Sequence, residues 1–265
     1  MPILPEHKEI LLTQSESKTL PEWMEFFNNQ YTKKQIYSFC YHQGKAIKKS
    51  SSEEKGKTQS QNSRKWNINQ DYFKIWSHNM AYVFGFWCAN GCIYGGKIFD
   101  ITQSKKDKYI LKKIAQELEY KGNLIDEVDR QVARINFSCV VIYQDILTLG
   151  GVENKSKILR FPKVPEEYLP DFIRGFFDGN GSICEVQRNR INTTFTSASK
   201  DFLFPLWNIL KEKAGVEGGS YDKIHYSVRF GLKDSIKIGN YMYKNNPELF
   251  LKRKRNKFSK HLLVK

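Results

Sequence analysis

The chain has 265 residues, enough to bury one large core with a small extra domain beside it. Its net charge is +15 and its pI about 9.4, with the basic excess spread along the chain, which points to an extended polyanionic partner. No apolar run approaches the roughly 20 residues of a bilayer span, and the N-terminal MPILPEHKEILL lacks an apolar signal core, so the sequence reads as soluble, unsecreted and without a membrane partner.

Three short helical patterns open the chain. The first, at 6–15, carries Ile10, Leu11 and Leu12. Pro21 sits at the start of the second, where its missing N–H costs nothing, ahead of Trp23, Phe26 and Phe27. Thr32 caps the third, which places Ile36, Phe39 and Cys40 on one face and stops at Gly44. Three short helices ending in a basic, Tyr- and Gln-bearing one resemble a helix-turn-helix unit over residues 1–45. Residues 46–65 are rich in Ser, Lys and Gln and bury too little to fold alone, so they read as a flexible basic linker.

Beyond the linker the sequence repeats. AYVFGFWCANGCI at 81–93 has its counterpart in DFIRGFFDGNGSI at 171–183, 90 residues later. Each is followed by a β-like stretch, a helix beginning near Ser104 or Ala198, two more strand-like runs and a closing helical pattern. The order helix, two strands, helix, two strands, helix therefore occurs twice, over 66–165 and 166–265. A unit of roughly 90 to 100 residues is too long for a solenoid repeat and implies a duplicated half-domain with pseudo-two-fold symmetry. Small residues four apart, Gly85 with Ala89 and Gly175 with Gly179, lie on one helical face and permit close backbone approach. The bulky residues around them (Val83, Phe84, Phe86, Trp87, Phe172, Ile173, Phe176, Phe177) are expected in the flanking cores. Gly91 and Gly181 are expected to end the two helices in left-handed conformation. Crossing helices of this kind set Asn90 and Asn180 side by side.

The paired segments, VFGFWCANG and IRGFFDGNG, resemble the two motifs of single-chain LAGLIDADG homing endonucleases over about 76–262. The resemblance implies an α+β fold: two pseudo-symmetric αββαββα half-domains forming a saddle, with a four-stranded sheet of each along the DNA major groove. It implies a monomer that binds double-stranded DNA at a long asymmetric site and cuts both strands with Mg²⁺ or Mn²⁺, Ca²⁺ being possible in a non-cleaving complex. The metals would lie at the motif ends, at Ala89–Asn90 and Gly179–Asn180, where the family carries an acid. Here both acids are replaced by asparagine, so cutting is expected to be severely reduced with binding kept. The same isosteric change at both sites, with the motif around it intact, fits deliberate inactivation better than scattered decay. A non-cleaving regulator or an intron RNA maturase on the same fold is the alternative.

By the same resemblance Gln103 is a polar neighbour of one metal site, Ser197 a weaker one of the other, and Lys155 and Lys254 assist the chemistry, Lys252 being a close rival. Plain phosphate-facing surface lysines are the competing reading. Period-two alternation puts Arg188, Arg190, Asn192, Thr194 and Thr196 on one strand face, suited to base edges, with Ile191 and Phe195 on the other. Tyr94, Lys97, Arg130, Arg134 and Arg229 are further candidate DNA contacts. The 251–258 cluster LKRKRNKF, with Lys252 and Arg253, is expected to grip phosphates. The five cysteines (Cys40, Cys88, Cys92, Cys139, Cys184) form no CxxC pair and read as reduced, mostly packed thiols. The five histidines show no metal-ligand spacing. Lys- and Asn-rich composition suggests a cytoplasmic protein of bacterial or phage origin.

Overall fold

A computed structural model describes residues 2–48, 67–186 and 190–259, so most of the linker and Arg188 lie outside the described residues. The chain divides into two compact units, 1–64 and 65–265.

The first unit holds α1 (Pro5–Gln14), α2 (Leu20–Phe26) and α3 (Lys33–His42). Capping boxes start two of them: Thr19 with Glu22 opens α2, and Thr32 with Gln35 opens α3. Gly44 ends α3 at φ +64°. Leu11, Trp23, Phe27, Tyr31, Ile36 and Cys40 close a small core. Phe26 is exposed, and of Ile10, Leu11 and Leu12 in α1 only Leu11 is fully buried.

In the second unit the element order is α4 (His78–Asn90), β1 (Gly91–Tyr94), β2 (Ile98–Ser104), α5 (Lys108–Glu117), β3 (Ile125–Glu127), β4 (Val132–Ser138) and α6 (Val140–Thr148). It repeats as α7 (Leu169–Asn180), β5 (Gly181–Val186), β6 (Arg190–Thr196), α8 (Lys200–Ala214), β7 (Ser220–Asp222), β8 (Ser227–Phe230) and α9 (Leu232–Tyr243), and α10 (Lys252–Phe258) follows. The fold class is therefore α+β, with two antiparallel four-stranded sheets ordered β1-β2-β4-β3 and β5-β6-β8-β7. Registers correspond as well: Gly91 pairs with Ile101, and Gly181 with Phe195. Each sheet buries its period-two apolar face (Phe99, Ile101, Ala133, Ile135; Ile191, Phe195, Val228, Phe230) and leaves the other open.

Helices α4 and α7 cross at the centre of one continuous core. An ideal Cβ on Gly85 would lie 2.0 Å from the Phe172 carbonyl oxygen, and one on Gly175 would lie 2.1 Å from that of Tyr82. Gly85 and Gly175, like Tyr82 and Phe172, are 90 residues apart, so the contact is reciprocal. That is the signature of a two-fold interface, here within one chain. Every bulky residue expected in the flanking cores is buried. Each such side chain contributes roughly 1.5–3 kcal/mol.

The glycines after the motif helices have a different reason from the one expected. Gly91 (φ −101°) and Gly181 (φ −94°) are extended, not left-handed. A Cβ there would strike the Trp87 or Phe177 ring at 2.1 Å, so each glycine leaves room for an aromatic of its own helix.

Candidate nucleic-acid interface

The reciprocal crossing relates Asn90 and Asn180 as symmetry partners at the C-terminal ends of α4 and α7. Both are half-buried. A Cβ on Gly179 would stand 2.2 Å from Ala89 Cβ and 3.3 Å from Asn90 Cγ, so only glycine admits the approach at that level.

The surroundings of the two asparagines differ. Gln103 Oε1 accepts from the Ser104 N–H (3.0 Å) and from Asn90 Nδ2 (3.4 Å), which joins Gln103 to Asn90. Two residues beyond Phe195 in the matching register stands Ser197, whose hydroxyl accepts from the Ser199 N–H at 3.2 Å.

The two lysines differ more. Lys155 Nζ lies 3.4 Å from the Ala89 carbonyl and 5.7 Å from the Trp87 ring centre, and burial pushes its ammonium down. Lys254 is 3% exposed, so the surface-lysine reading does not describe it. Its Nζ donates to the carbonyls of Phe177 (2.6 Å), Asp178 (2.7 Å) and Gly181 (2.6 Å), which occupies all three protons. It is a cation capping the C-terminus of α7, where the helix dipole favours positive charge. Burial lowers its pKa to about 8, against the pull of Asp178. Lys252, the rival, is exposed at the start of α10.

Sequence reasoning missed Asp178, which is fully buried and whose Oδ2 accepts from Tyr82 Oη (2.9 Å) and the Leu251 N–H (2.7 Å). It ties α4, α7 and the chain before α10 together, and burial pushes its carboxyl up. At the opposite end of the crossing His78 Nδ1 meets buried Asp171 at 2.7 Å, and Asp171 also pairs with buried Arg174. Partners 93 and 96 residues apart leave no local signal.

Lys254→Met is expected to cost roughly 3–5 kcal/mol in urea unfolding, the scale for removing one member of a buried charge cluster. Exposed Lys252→Met is expected to change stability by less than about 0.5 kcal/mol. The penalty of burying the Lys254 charge is present in full below pH about 8 and relieved between there and 10.5, where only the unfolded chain keeps the proton. The wild-type chain should gain stability relative to Lys254→Met over that window.

The residues present do not fit a divalent cation of their own. Magnesium and its relatives need hard, mostly anionic oxygens. The crossing offers two neutral amides, and a lysine already points at the Ala89 carbonyl. Among the described residues no group of three His, Cys, Asp or Glu is placed to hold a metal, and Asp178 is consumed inside the core. The set expected at Ala89, Asn90, Gly179 and Asn180 offers only neutral amide and carbonyl oxygens.

The open sheet faces carry the candidate readers. Arg190, Asn192, Thr194 and Thr196 point outward from β6, Arg229 from β8, and Tyr94 from β1. Lys97 lies in the β1–β2 turn. Arg130 is exposed and paired with Glu127, whereas Arg134 is held between Asp100 and Glu127. In the basic cluster at 252–258 only Lys254 is a buried cation; Lys252, Arg253 and Lys257 are exposed, although Arg253 pairs with Asp107 at 2.8 Å, half-buried Arg255 lies over the Phe250 ring and Lys257 donates to the Ile183 carbonyl. Cys40, Cys88 and Cys139 are packed thiols, while Cys92 and Cys184 are exposed on the open faces. Among the described residues no helix is long and apolar enough to cross a membrane.

No protein-family model and no curated protein matches the chain. Solved structures are similar to it at low identity. The meganuclease I-SmaMI bound to uncleaveable DNA matches at 12% identity and TM-score 0.47, over 66% of this chain and 86% of that one. The homing endonuclease I-WcaI bound to its DNA recognition sequence matches at 12% and 0.47, over 71% and 91%. The I-LtrWI LAGLIDADG homing endonuclease bound to target DNA matches at 13% and 0.42, over 71% and 88%. At these identities and TM-scores the likeness transfers no residue role.

Proposed function

We propose that residues 67–259 bind double-stranded DNA at a long asymmetric site as a monomer, on a LAGLIDADG endonuclease scaffold that no longer cuts. The reciprocal crossing of α4 and α7 carries this reading. It gives one chain two sheets related by a pseudo-dyad, and a dyad is the symmetry that relates the two strands of a duplex. Because the halves differ in sequence, the half-sites they read differ too. A net charge of +15 supplies affinity through phosphate contacts, and the outward Arg, Asn and Thr side chains supply base readout.

Loss of cutting follows from Asn90 and Asn180. A scissile phosphate and an attacking water need anionic oxygens to gather cations around them, and a neutral amide does not do so. The same neutrality removes two repulsive charges from beside the phosphates, so duplex binding is retained. The first unit adds a helix-turn-helix contact, with Lys33, Lys34, Tyr37 and Tyr41 on the exposed side of α3.

Selection from a randomised duplex pool, with structured intron RNA as competitor, tests the proposal. The expected outcome is enrichment of one long asymmetric duplex sequence, recovered uncut with Mg²⁺ present. Displacement of the duplex by equimolar RNA would establish the maturase reading instead.

A further inference from the structure

The open face of the first sheet carries a built polar cluster. Asp100 on β2 pairs in register with Asn136 on β4 and lies on the same face as Arg134. Although this face is open, the Asp100 side chain is only 3% exposed, because its neighbours close over it. Its Oδ2 accepts from Arg134 Nε (3.1 Å) and Nη2, and from Asn136 Nδ2 (2.8 Å). Its Oδ1 accepts from Thr102 Oγ1 at 3.1 Å. Glu127 Oε1 takes Arg134 Nη1 at 2.6 Å, and Glu127 Oε2 takes Arg130 at 3.0 Å.

Donor accounting shows what this arrangement leaves over. A guanidinium has five N–H groups, and three of those on Arg134 are engaged, so two remain on a side chain that is 27% exposed. A carboxylate can only accept, so Asp100 fixes the Asn136 amide with nitrogen inward. The Tyr94 hydroxyl, 3.3 Å away, takes up the second Asn136 N–H, and Oδ1 is left as an acceptor. The cluster thus presents a fixed donor at 134 and a fixed acceptor at 136. The second sheet has no counterpart: among the described residues neither Arg190 nor Arg229 pairs with a carboxylate, and both are exposed.

We infer that Asp100 is a positioning residue for base reading, holding Arg134 to select guanine and Asn136 to select a base that offers an exocyclic amino group, cytosine or adenine. This rests on the duplex-binding reading above. Residues two apart on a strand are separated by about 6.7 Å and bases along one strand by about 3.4 Å, so the two selected positions lie about two steps apart in one half-site. Immobilising a long side chain before binding removes the entropy cost of ordering it on the DNA, and holding it in one orientation denies it an alternative partner at a wrong base, which is what discriminates.

The test uses the full chain and its Asp100→Asn, Asp100→Ala and Glu127→Gln variants, each checked for a native-like melting transition. Affinity, salt dependence and base preference at every position are read from the same randomised duplex pool. Preference for guanine at one position is expected to fall roughly tenfold, within the range for one bidentate arginine pair. Preference two steps away should relax with it in the Asp100 variants, while the other half-site and the salt slope stay unchanged. Glu127→Gln should weaken only the guanine position, which separates positioning from damage to the sheet. Unchanged preferences with duplex binding intact would overturn the inference, as would a loss spread evenly over both half-sites. Failure of the parent chain to bind duplex would instead remove the reading on which it rests.

Discussion

Gly175→Ala is expected to cost about 4 kcal/mol or more in urea unfolding, at the upper end for a single substitution. The added carbon would lie 2.1 Å from the Tyr82 carbonyl oxygen and 2.9 Å from the Phe86 nitrogen. Both are backbone atoms of the facing helix, so no rotamer change relieves the clash. Alanine is the better helix former by about 1 kcal/mol, and overpacking a core usually costs about 1–3 kcal/mol. Here the obstacle is a helix fixed by a second, reciprocal contact at Gly85. Separating α4 from α7 would therefore release both halves of the core at once and take the Asn90–Asn180 pair apart. Gly95, in the β1–β2 turn with open space around it, provides the control. Its φ of +60° predicts a loss of only about 1 kcal/mol for Gly95→Ala. Equal losses at the two positions would show that the crossing is not the tight contact it is taken to be.

What the sequence disclosed about the fold was periodic or repeated. The 90-residue spacing of VFGFWCANG and IRGFFDGNG revealed the duplication, and small residues four apart revealed the helix crossing, because both are patterns along one chain. Period-two alternation likewise separated Ile191 and Phe195 from Asn192 and Thr194. Interactions formed between distant residues left no such trace. Asp100 meets Arg134 and Asn136 across two strands, and Tyr82 meets Asp178 across 96 residues. Within the cluster at 251–258, charge in sequence gives no hint that Lys254 will find three carbonyls or Arg253 an aspartate. Gly91 and Gly181 stood where expected but for steric room, not for a left-handed turn.

The second large effect concerns the asparagines with which the motif helices end. Asn90→Asp and Asn180→Asp together are expected to restore double-strand cutting. Each change returns an anionic oxygen to one end of the reciprocal crossing without altering side-chain size, so the packing against Gly179 is kept. Gln103 must then turn its amide nitrogen toward residue 90, since its oxygen now faces Asn90 Nδ2. Each restored carboxylate should raise cutting of its own strand by roughly a hundredfold or more, the scale of one well-placed electrostatic group. Because the surroundings differ, with Gln103 and Lys155 on one side and Ser197 and the fully engaged Lys254 on the other, the two strands should be cut at unequal rates.

The most direct measurement compares the chain and this double variant on a supercoiled plasmid carrying the duplex sequence that the chain itself selects, with Mg²⁺ supplied. The expected result is equal binding by both, no cutting by the chain, and conversion to nicked and then linear plasmid by the variant. A variant that binds the site as tightly but leaves the plasmid supercoiled would contradict the account, as would cutting by the chain with both asparagines in place.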